Sequence, residues 1–329
     1  MHIPVLLDEV IHYLDPRPGK FIIDGAVDGG GHAEEIIKRI QPNGTFLGID
    51  LDNEMIMKTA KRLMTNPSMG LMAGNRRLTT KFMPGNYADL PDILNGEELG
   101  CADGLLLDLG FSTEQLEAGK GFSFNKDEVL DMRYDSRISA DRNADQRGLE
   151  SDISVNQRGN PRESAVRTAA EVINSLPEQE LANIFWTYGE ERYGRRIAKE
   201  IVITRKKKRI IRTTELVAVI EKVVPRGYEH GRIHPATRVF QGLRIYVNHE
   251  MENLDTALRK LPRIMASHGR VVLISFHSLE DRRVKQAFRE LEKRGKARIL
   301  TKKPIRASKE EIERNPRSRG AKLRAIEIQ

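Results

Sequence analysis

FIIDGAVDGGGH, residues 21–32, decides the fold. Phe21, Ile22 and Ile23 run uninterrupted to Asp24, and a turn with glycines at 25, 29, 30 and 31 follows. A continuous apolar run suits a strand covered on both faces. AEEIIKRI (33–40) then sets Ile36, Ile37 and Ile40 on one helical face. Strand, glycine-rich turn and helix make the first half of a parallel βαβ unit. Outward from there, PNG leads into TFLGID (45–50), a second strand, and a second helix runs from about Glu54 to Met64 through Met57, Ala60 and Leu63. ADGLLLDLG (102–110) is a further buried strand that ends in Asp108. Residues 237–260 read as one long helix, with Leu243, Val247, Met251, Leu254 and Leu258 at helical spacing, and GRVVLISFHS (269–278) as another buried strand.

Between these blocks the alternation breaks. Residues 136–165 hold no aromatic and only four large aliphatics, too few to offset the entropy of ordering, so a mobile loop is expected there. Residues 168–212 read as helical and end in RRIAKEIVITRKKKRIIR (195–212), with nine basic residues against one acid. The stretch 282–324 carries 17 Lys and Arg against 5 acids. The expected architecture is α/β. A discontinuous sheet domain takes residues 1–110 and 213–329, and a mostly helical insertion takes 111–212.

The 329 residues suit two such domains. With 55 Lys and Arg against 47 Asp and Glu, the net charge of +8 hints at a polyanionic partner. A single cysteine, Cys101, excludes a disulfide framework and a Cys-rich metal site. The histidines lack metal-ligand spacing, so no metal is expected. No apolar run approaches the roughly 18–20 residues of a membrane span. MHIPVLLDEVIHYL (1–14) mixes acids and His into its apolar residues and lacks the basic start of a secretory leader. A reduced, cytoplasmic setting is therefore the expectation.

The turn carries the chemistry. Glycines permit positive φ and close backbone approach to a ligand, and the helix N-terminus beyond offers amides to a negative group. The spacing G-x-x-x-G-G-G departs from the G-x-G-x-x-G of dinucleotide sites. Asp50, 19 residues past Gly31, ends the second strand, where an acid can accept both ribose hydroxyls of a nucleoside cofactor. NAD and S-adenosylmethionine both satisfy that pattern, and Asp52 competes with Asp50 for the role of helix N-cap. Asp108 shares the strand-end crevice. The turn holds no phosphate-binding Lys, which disfavours a Walker-type NTPase. In SFHSLEDR (275–282), His277 and Ser278 are polar groups at another strand end, and so secondary candidates for catalysis.

Ordered motifs along nearly the whole chain resemble the ribosomal small-subunit methyltransferase H family, also called MraW. They are HIPVLLDEV (2–10), DGAVDGGGH (24–32), LGIDLD (47–52), DGLLLDLGFSTEQL (103–116), GFSF (121–124), LDMRYD (130–135), YGEERYGRRIA (188–198), HPATRVFQGLRIYVNHE (234–250), VVLISFHSLEDRRVK (271–285) and NPRSRGAKLR (315–324). The resemblance implies a Rossmann-like methyltransferase sheet with an inserted helical domain. It implies S-adenosylmethionine-dependent methylation of N4 of a cytidine in 16S ribosomal RNA, in the decoding centre of the small subunit, by a homodimer.

Motif by motif, the resemblance places Gly30, Gly31 and His32 against the methionine part of the cofactor and Asp50 on its ribose. Tyr87 lies beside the adenine, in a place usually held by Phe, and Asp108 and Gln115 make further cofactor contacts. Asp108 is also the leading catalytic candidate. Asp28 stands where the family usually has Gly, and Ala26 where it usually has Thr. Phe111, Phe122 and Phe124 could stack on an extruded base or simply pack the insertion. Arg205, Lys206, Lys207 and Lys208, together with Arg317, Arg319 and Arg324, are candidate RNA contacts. Two other classes compete with this reading: a non-catalytic RNA-binding or assembly protein, and an NAD-dependent oxidoreductase.

Overall fold

The computed structural model describes residues 3–66, 78–110, 116, 119–134, 167–225, 227–231 and 233–329. The loop expected at 136–165, Phe111 and Gln115 lie outside the described residues. The chain divides into two units, residues Met1–Ser112 with Met251–Gln329, and Thr113–Glu250.

The first unit is a seven-stranded sheet. Its strands are β1 (Phe21–Asp24), β2 (Thr45–Asp50), β3 (Thr79–Pro84), β4 (Ala102–Asp108), β5 (Met265–Ser275), β6 (Ala297–Ile299) and β7 (Lys322–Ile328), in the order β3-β2-β1-β4-β5-β7-β6. The first five are parallel, and β7 runs antiparallel between β5 and β6. The order reverses between β1 and β4, so a topological switch point opens at the ends bearing Asp24 and Asp108. This is the Rossmann-like α/β sheet that the alternation predicts.

Successive side chains of a strand face opposite ways, so the apolar runs supply two cores. Ile22, Phe46, Leu106, Val272 and Ile274 meet α1 (Leu7–Leu14), α2 (Gly31–Ile40) and α3 (Asn53–Thr65) on one face. On the other, Ile23, Leu47, Leu105, Leu107 and Leu273 meet α4 (Leu90–Gly96), α10 (Glu250–Ile264) and α11 (Ser278–Lys293). In α3 the buried stripe is Met55, Ile56, Ala60 and Leu63, while Met57 and Met64 face solvent, one step off the expected register. A short helix, α12 (Lys309–Arg314), precedes β7, and Glu311 on it accepts the Leu6 N–H at 2.7 Å.

The second unit is helical. Its helices are α5 (Ala169–Ser175), α6 (Glu178–Thr187), α7 (Gly194–Arg205), α8 (Thr213–Val223) and α9 (Thr237–Val247). Leu181, Phe185, Ile197 and Ile201 form one core with Leu216, Ile220, Phe240 and Leu243. The boundary therefore falls after Glu250, not at 212. The apolar faces of α8 and α9 belong to this core and leave the sheet unit to begin again at α10. The helix expected over 237–260 is two helices, broken at His249, whose φ is +51°. At the unit's C-terminal end Asn248 donates to the Met132 carbonyl at 2.7 Å and accepts the Tyr134 N–H at 2.9 Å. The Tyr134 hydroxyl donates to Glu250 at 3.1 Å. These bonds fasten the unit's last residues to its first segment.

Phe122 stacks on Tyr134 and Phe124 on His234, so both rings are used in packing. Among the described residues no helix is long and apolar enough to cross a membrane. Leu106 is fully buried in the sheet core. Leu106→Ala is expected to lower unfolding stability by about 2–5 kcal/mol, read by urea denaturation. A loss well under about 1 kcal/mol would be incompatible with this packing.

Candidate functional site

The site lies at the C-terminal ends of β1, β2 and β4. Asp24, Asp50 and Asp108 are the last residues of those strands and all are buried. The turn after β1 brings its own amides back to β2. Asp28 adopts φ +47° and Gly30 φ +73°, the left-handed region that Asp and Gly tolerate best. In this conformation the Asp28 N–H donates to Asp50 Oδ2 at 2.9 Å. Thr59 and Arg62 of α3 hold the outer side of the turn, donating to the carbonyls of Asp28 and Gly29 at 2.8 Å each. A Cβ at Gly30 would lie 2.5 Å from the Thr59 methyl, and one at Gly31 2.9 Å from Pro4, so both glycines are needed for close packing. The turn thus keeps its shape with Asp at position 28.

Asp52, not Asp50, caps α3, accepting the N–H groups of Glu54 and Met55 at 3.1 Å. That leaves Asp50 to the crevice, where its Oδ1 accepts the Asp52 N–H at 2.8 Å. Backbone donors from Asp28, Asp52 and Leu51 fix the carboxylate's orientation and leave acceptor capacity for a ligand diol. Tyr87 is partly buried in the short turn after β3.

His32 is buried on the first turn of α2, and its Nε2 lies 2.9 Å from the Val5 carbonyl. A carbonyl only accepts, so Nε2 carries the proton and Nδ1 presents a lone pair. Burial lowers the His32 pKa to about 4, so the ring is neutral near pH 7. Its Nδ1 faces Asp108 Oδ2 across 3.7 Å. Two acceptors that close can be bridged from one side by the hydrogens of a single ligand amine.

Four buried acids share this crevice, and their charges oppose one another. Burial pushes the Asp24 carboxyl up to about 8, with Asp108 and Asp50 adding repulsion. Asp50 rises to about 6, chiefly through burial, which outweighs its backbone hydrogen bonds. Asp28 is raised well above the usual carboxylate range by burial, then by Asp50, Asp108, Asp24 and Asp52. The Asp28 carboxyl accordingly keeps its proton to higher pH than an exposed carboxylate, which eases repulsion toward an anionic ligand group. Asp24, Asp28 and Asp50 have no basic partner among the described residues. A crevice of this kind favours a small cation-bearing ligand.

The other predicted residues lie elsewhere or serve the fold. His277 is the N-cap of α11: its Nδ1 accepts the Glu280 N–H at 3.4 Å, and its Nε2 lies 3.1 Å from Glu280 Oε1. Ser278 is the first residue of that helix. Arg324 is 7% exposed and pairs with Asp281 at 2.7 Å, so it is not an exposed phosphate contact. Arg205 turns inward to the Ile173 carbonyl at 2.6 Å, capping the end of α5. Lys208 pairs with Glu215 at 2.6 Å, whereas Lys206, Lys207, Arg317 and Arg319 are exposed. Asp24 and Thr59 were not singled out from the sequence. Asp24 ends its strand as Asp50 and Asp108 do, which was the available signal.

The family model described as the MraW methylase family matches residues 1–147 and 150–329. Proteins named ribosomal RNA small subunit methyltransferase H are similar over the full length. The one from Syntrophus aciditrophicus is 40% identical, covering 99% of this chain and 97% of that protein. Those from Synechocystis and Thermotoga neapolitana are each 41% identical and cover 99% of this chain, with 93% and 96% of their own lengths. Solved structures are more distant. Aeropyrum pernix fibrillarin with bound S-adenosyl-L-methionine has a TM-score of 0.35 at 9% identity, covering 94% of this chain and 67% of that one. A SAM-dependent O-methyltransferase from Thermotoga maritima has a TM-score of 0.36 at 10% identity, covering 99% and 66%.

The buried acids make ligand binding pH-dependent, and the sign follows from their raised pKa values. Stability contributed by Asp24 and Asp50 is present below about pH 4 and lost as pH rises through about 6 and 8. His32 acts oppositely, with stability present above about pH 6.5 and lost toward pH 4. A bound cation favours the ionised acids. The thermal shift given by the sulfonium nucleoside S-adenosylmethionine is thus expected to grow between pH 5.5 and 8, measured by scanning fluorimetry against the ligand-free chain at each pH. A shift that shrinks over that interval would contradict the acid-lined site.

Proposed function

The chain belongs to the MraW methylase family, and from that membership we propose that it methylates N4 of a cytidine in 16S ribosomal RNA, in the decoding centre of the small subunit. The product is N4-methylcytidine, and S-adenosylmethionine is the methyl donor. The observation that supports this reading most is the strand-end crevice, where Asp24, Asp28 and Asp50, without basic partners among the described residues, meet a glycine-rich helix start. Its donor set fits the cofactor group by group. Acids suit the sulfonium and ammonium charges, Asp50 suits the ribose diol, and the amides opening α2 suit the carboxylate.

S-adenosylmethionine, when bound, supplies an electrophilic methyl group on a sulfonium. The N4 amine is a poor nucleophile because its lone pair is delocalised into the ring, so orientation carries most of the rate. Asp108 and His32 Nδ1, as neighbouring acceptors, would take hydrogen bonds from the amine and so orient it for transfer. Gly30 and Gly31 allow the backbone to approach the methionine part, and Tyr87 flanks the adenine. Gln115 completes the cofactor contacts of this reading. Cys101 is exposed and lies before β4, away from the strand-end site, so the chemistry uses no thiolate. His277 and Ser278 act through the α11 cap rather than on the amine.

The target base leaves its stack to reach the methyl group. Lys206, Lys207, Arg317 and Arg319 are the phosphate contacts of this reading. A homodimer is its assembly and the cytoplasm its setting.

Labelled cofactor, the purified chain and small subunits from a host lacking the endogenous enzyme test the reaction, with nucleosides read by mass spectrometry. N4-methylcytidine is expected, and Asp108→Ala should lower kcat/KM by about 100-fold. Asp50→Ala should weaken cofactor binding at least tenfold by calorimetry. Methyl label on another atom would sink the N4 assignment, and absence of both transfer and cofactor binding would sink the enzyme reading.

A further inference from the structure

Two consecutive residues at the end of α6 have opposite fates. Phe185 is fully buried, and Trp186 beside it is 67% exposed. The indole lines a cleft of about 370 Å³ together with Ala182, Asn183, Arg192, Gly194 and Arg195. Gly194 lets α7 start tightly against α6, since a Cβ there would already lie 3.1 Å from Phe185 Cβ. Arg195, the next residue, lines the cleft and is exposed.

The exposed charges that line the cleft, Arg192 and Arg195, are positive. The guanidinium of Arg192 lies over the rings of Tyr193 and Tyr228, 5.1 and 5.8 Å from their centroids, and Arg196 lies 5.8 Å from the Tyr193 centroid. Among the described residues none of Arg192, Arg195 and Arg196 is paired with a carboxylate. Glu191 borders the cleft, yet its carboxylate is buried, accepting the Tyr193 N–H at 2.8 Å and the Tyr228 hydroxyl. Lys199, one turn further along α7, is exposed. The cleft therefore joins an exposed aromatic face to Arg192, held against the Tyr193 and Tyr228 rings, and to the exposed Arg195.

An aromatic platform flanked by fixed cations matches a single-stranded nucleic acid, in which every base has a π face and every linkage a negative charge. We propose that the Trp186 cleft seats an unpaired base of the RNA substrate, stacked on the indole, with Arg192 and Arg195 on the adjoining phosphates. This rests on the RNA methyltransferase reading but concerns a second place on the protein, remote in sequence from the strand-end residues. The arginines argue against an apolar peptide as occupant, and the cleft's size against a bare ion.

Trp186 is the chain's one tryptophan, so its emission reports on this cleft alone. Titrating the full chain with a short single-stranded oligoribonucleotide should quench that emission at the same concentrations at which a labelled oligonucleotide gains anisotropy. Trp186→Ala should weaken binding about tenfold and raise KM for the RNA with kcat retained, and Trp186→Phe should restore most of the affinity. Replacing Arg192 and Arg195 by Gln should flatten the salt dependence.

Oligonucleotide binding with unchanged emission would overturn the proposal. So would equal quenching by polyglutamate, which would mark a seat for an acidic protein. Emission that changes with protein concentration alone would mark a contact between copies and would also overturn it. Quenching with neither methyl transfer nor cofactor binding would leave this seat standing and remove the methyltransferase reading. Transfer with a silent Trp186 would do the reverse.

Discussion

The Asp50 carboxylate ties two βα turns into one site. It accepts the Asp28 N–H from the turn after β1 and the Asp52 N–H from its own turn. A carboxylate this deeply buried persists only if its lone pairs are met, and backbone amides meet them without adding a counter-charge. The turn must therefore pass through left-handed backbone at Asp28 and Gly30, because only that path aims the amide at β2. Once the path is fixed, α2 starts where its amides face the crevice and His32 is carried inward toward Val5.

The same constraint explains why the site is acidic and remains so. Parallel strands end on one side of the sheet, so acids closing β1, β2 and β4 must crowd together. No lysine or arginine neutralises Asp24, Asp28 or Asp50 among the described residues. Burial first, and repulsion among the acids second, raises their pKa values, and a cationic ligand favours the ionised forms. Asp28 adds to that repulsion by its side chain while its backbone maintains the geometry.

Much of this was legible in the sequence because it is local. Apolar runs ending in Asp, and glycines between strand and helix, are read within a dozen residues. What was not legible depends on distant partners. Arg324 looked like an exposed cation in a basic stretch, and only the fold brings Asp281 to it. Arg205 likewise looked available until α5 supplied the Ile173 carbonyl. The break at His249 was hidden because Leu243, Val247, Met251 and Leu254 keep helical spacing across it, and all four are buried, although Leu243 and Val247 lie in one core and Leu254 in another. Strands β6 and β7 were hidden by the charge around them: KLRAIEI sets Lys, Arg and Glu among its apolar residues without a clean alternation, yet most of β7 is buried.

The fastening of Asn248 and Glu250 to Met132 and Tyr134 bears on how the chain comes together during synthesis. Strand β5 pairs with β4, yet the whole helical unit is translated between them. Closing so long an excursion from an unfolded chain would carry the entropy of a large loop and would slow the pairing. A unit that folds as it emerges, and clips its own exit to its entrance, shortens that loop to a tether. The centre of the sheet then waits on a neighbour that has already folded, and β4 spends less time as an unpaired edge open to aggregation.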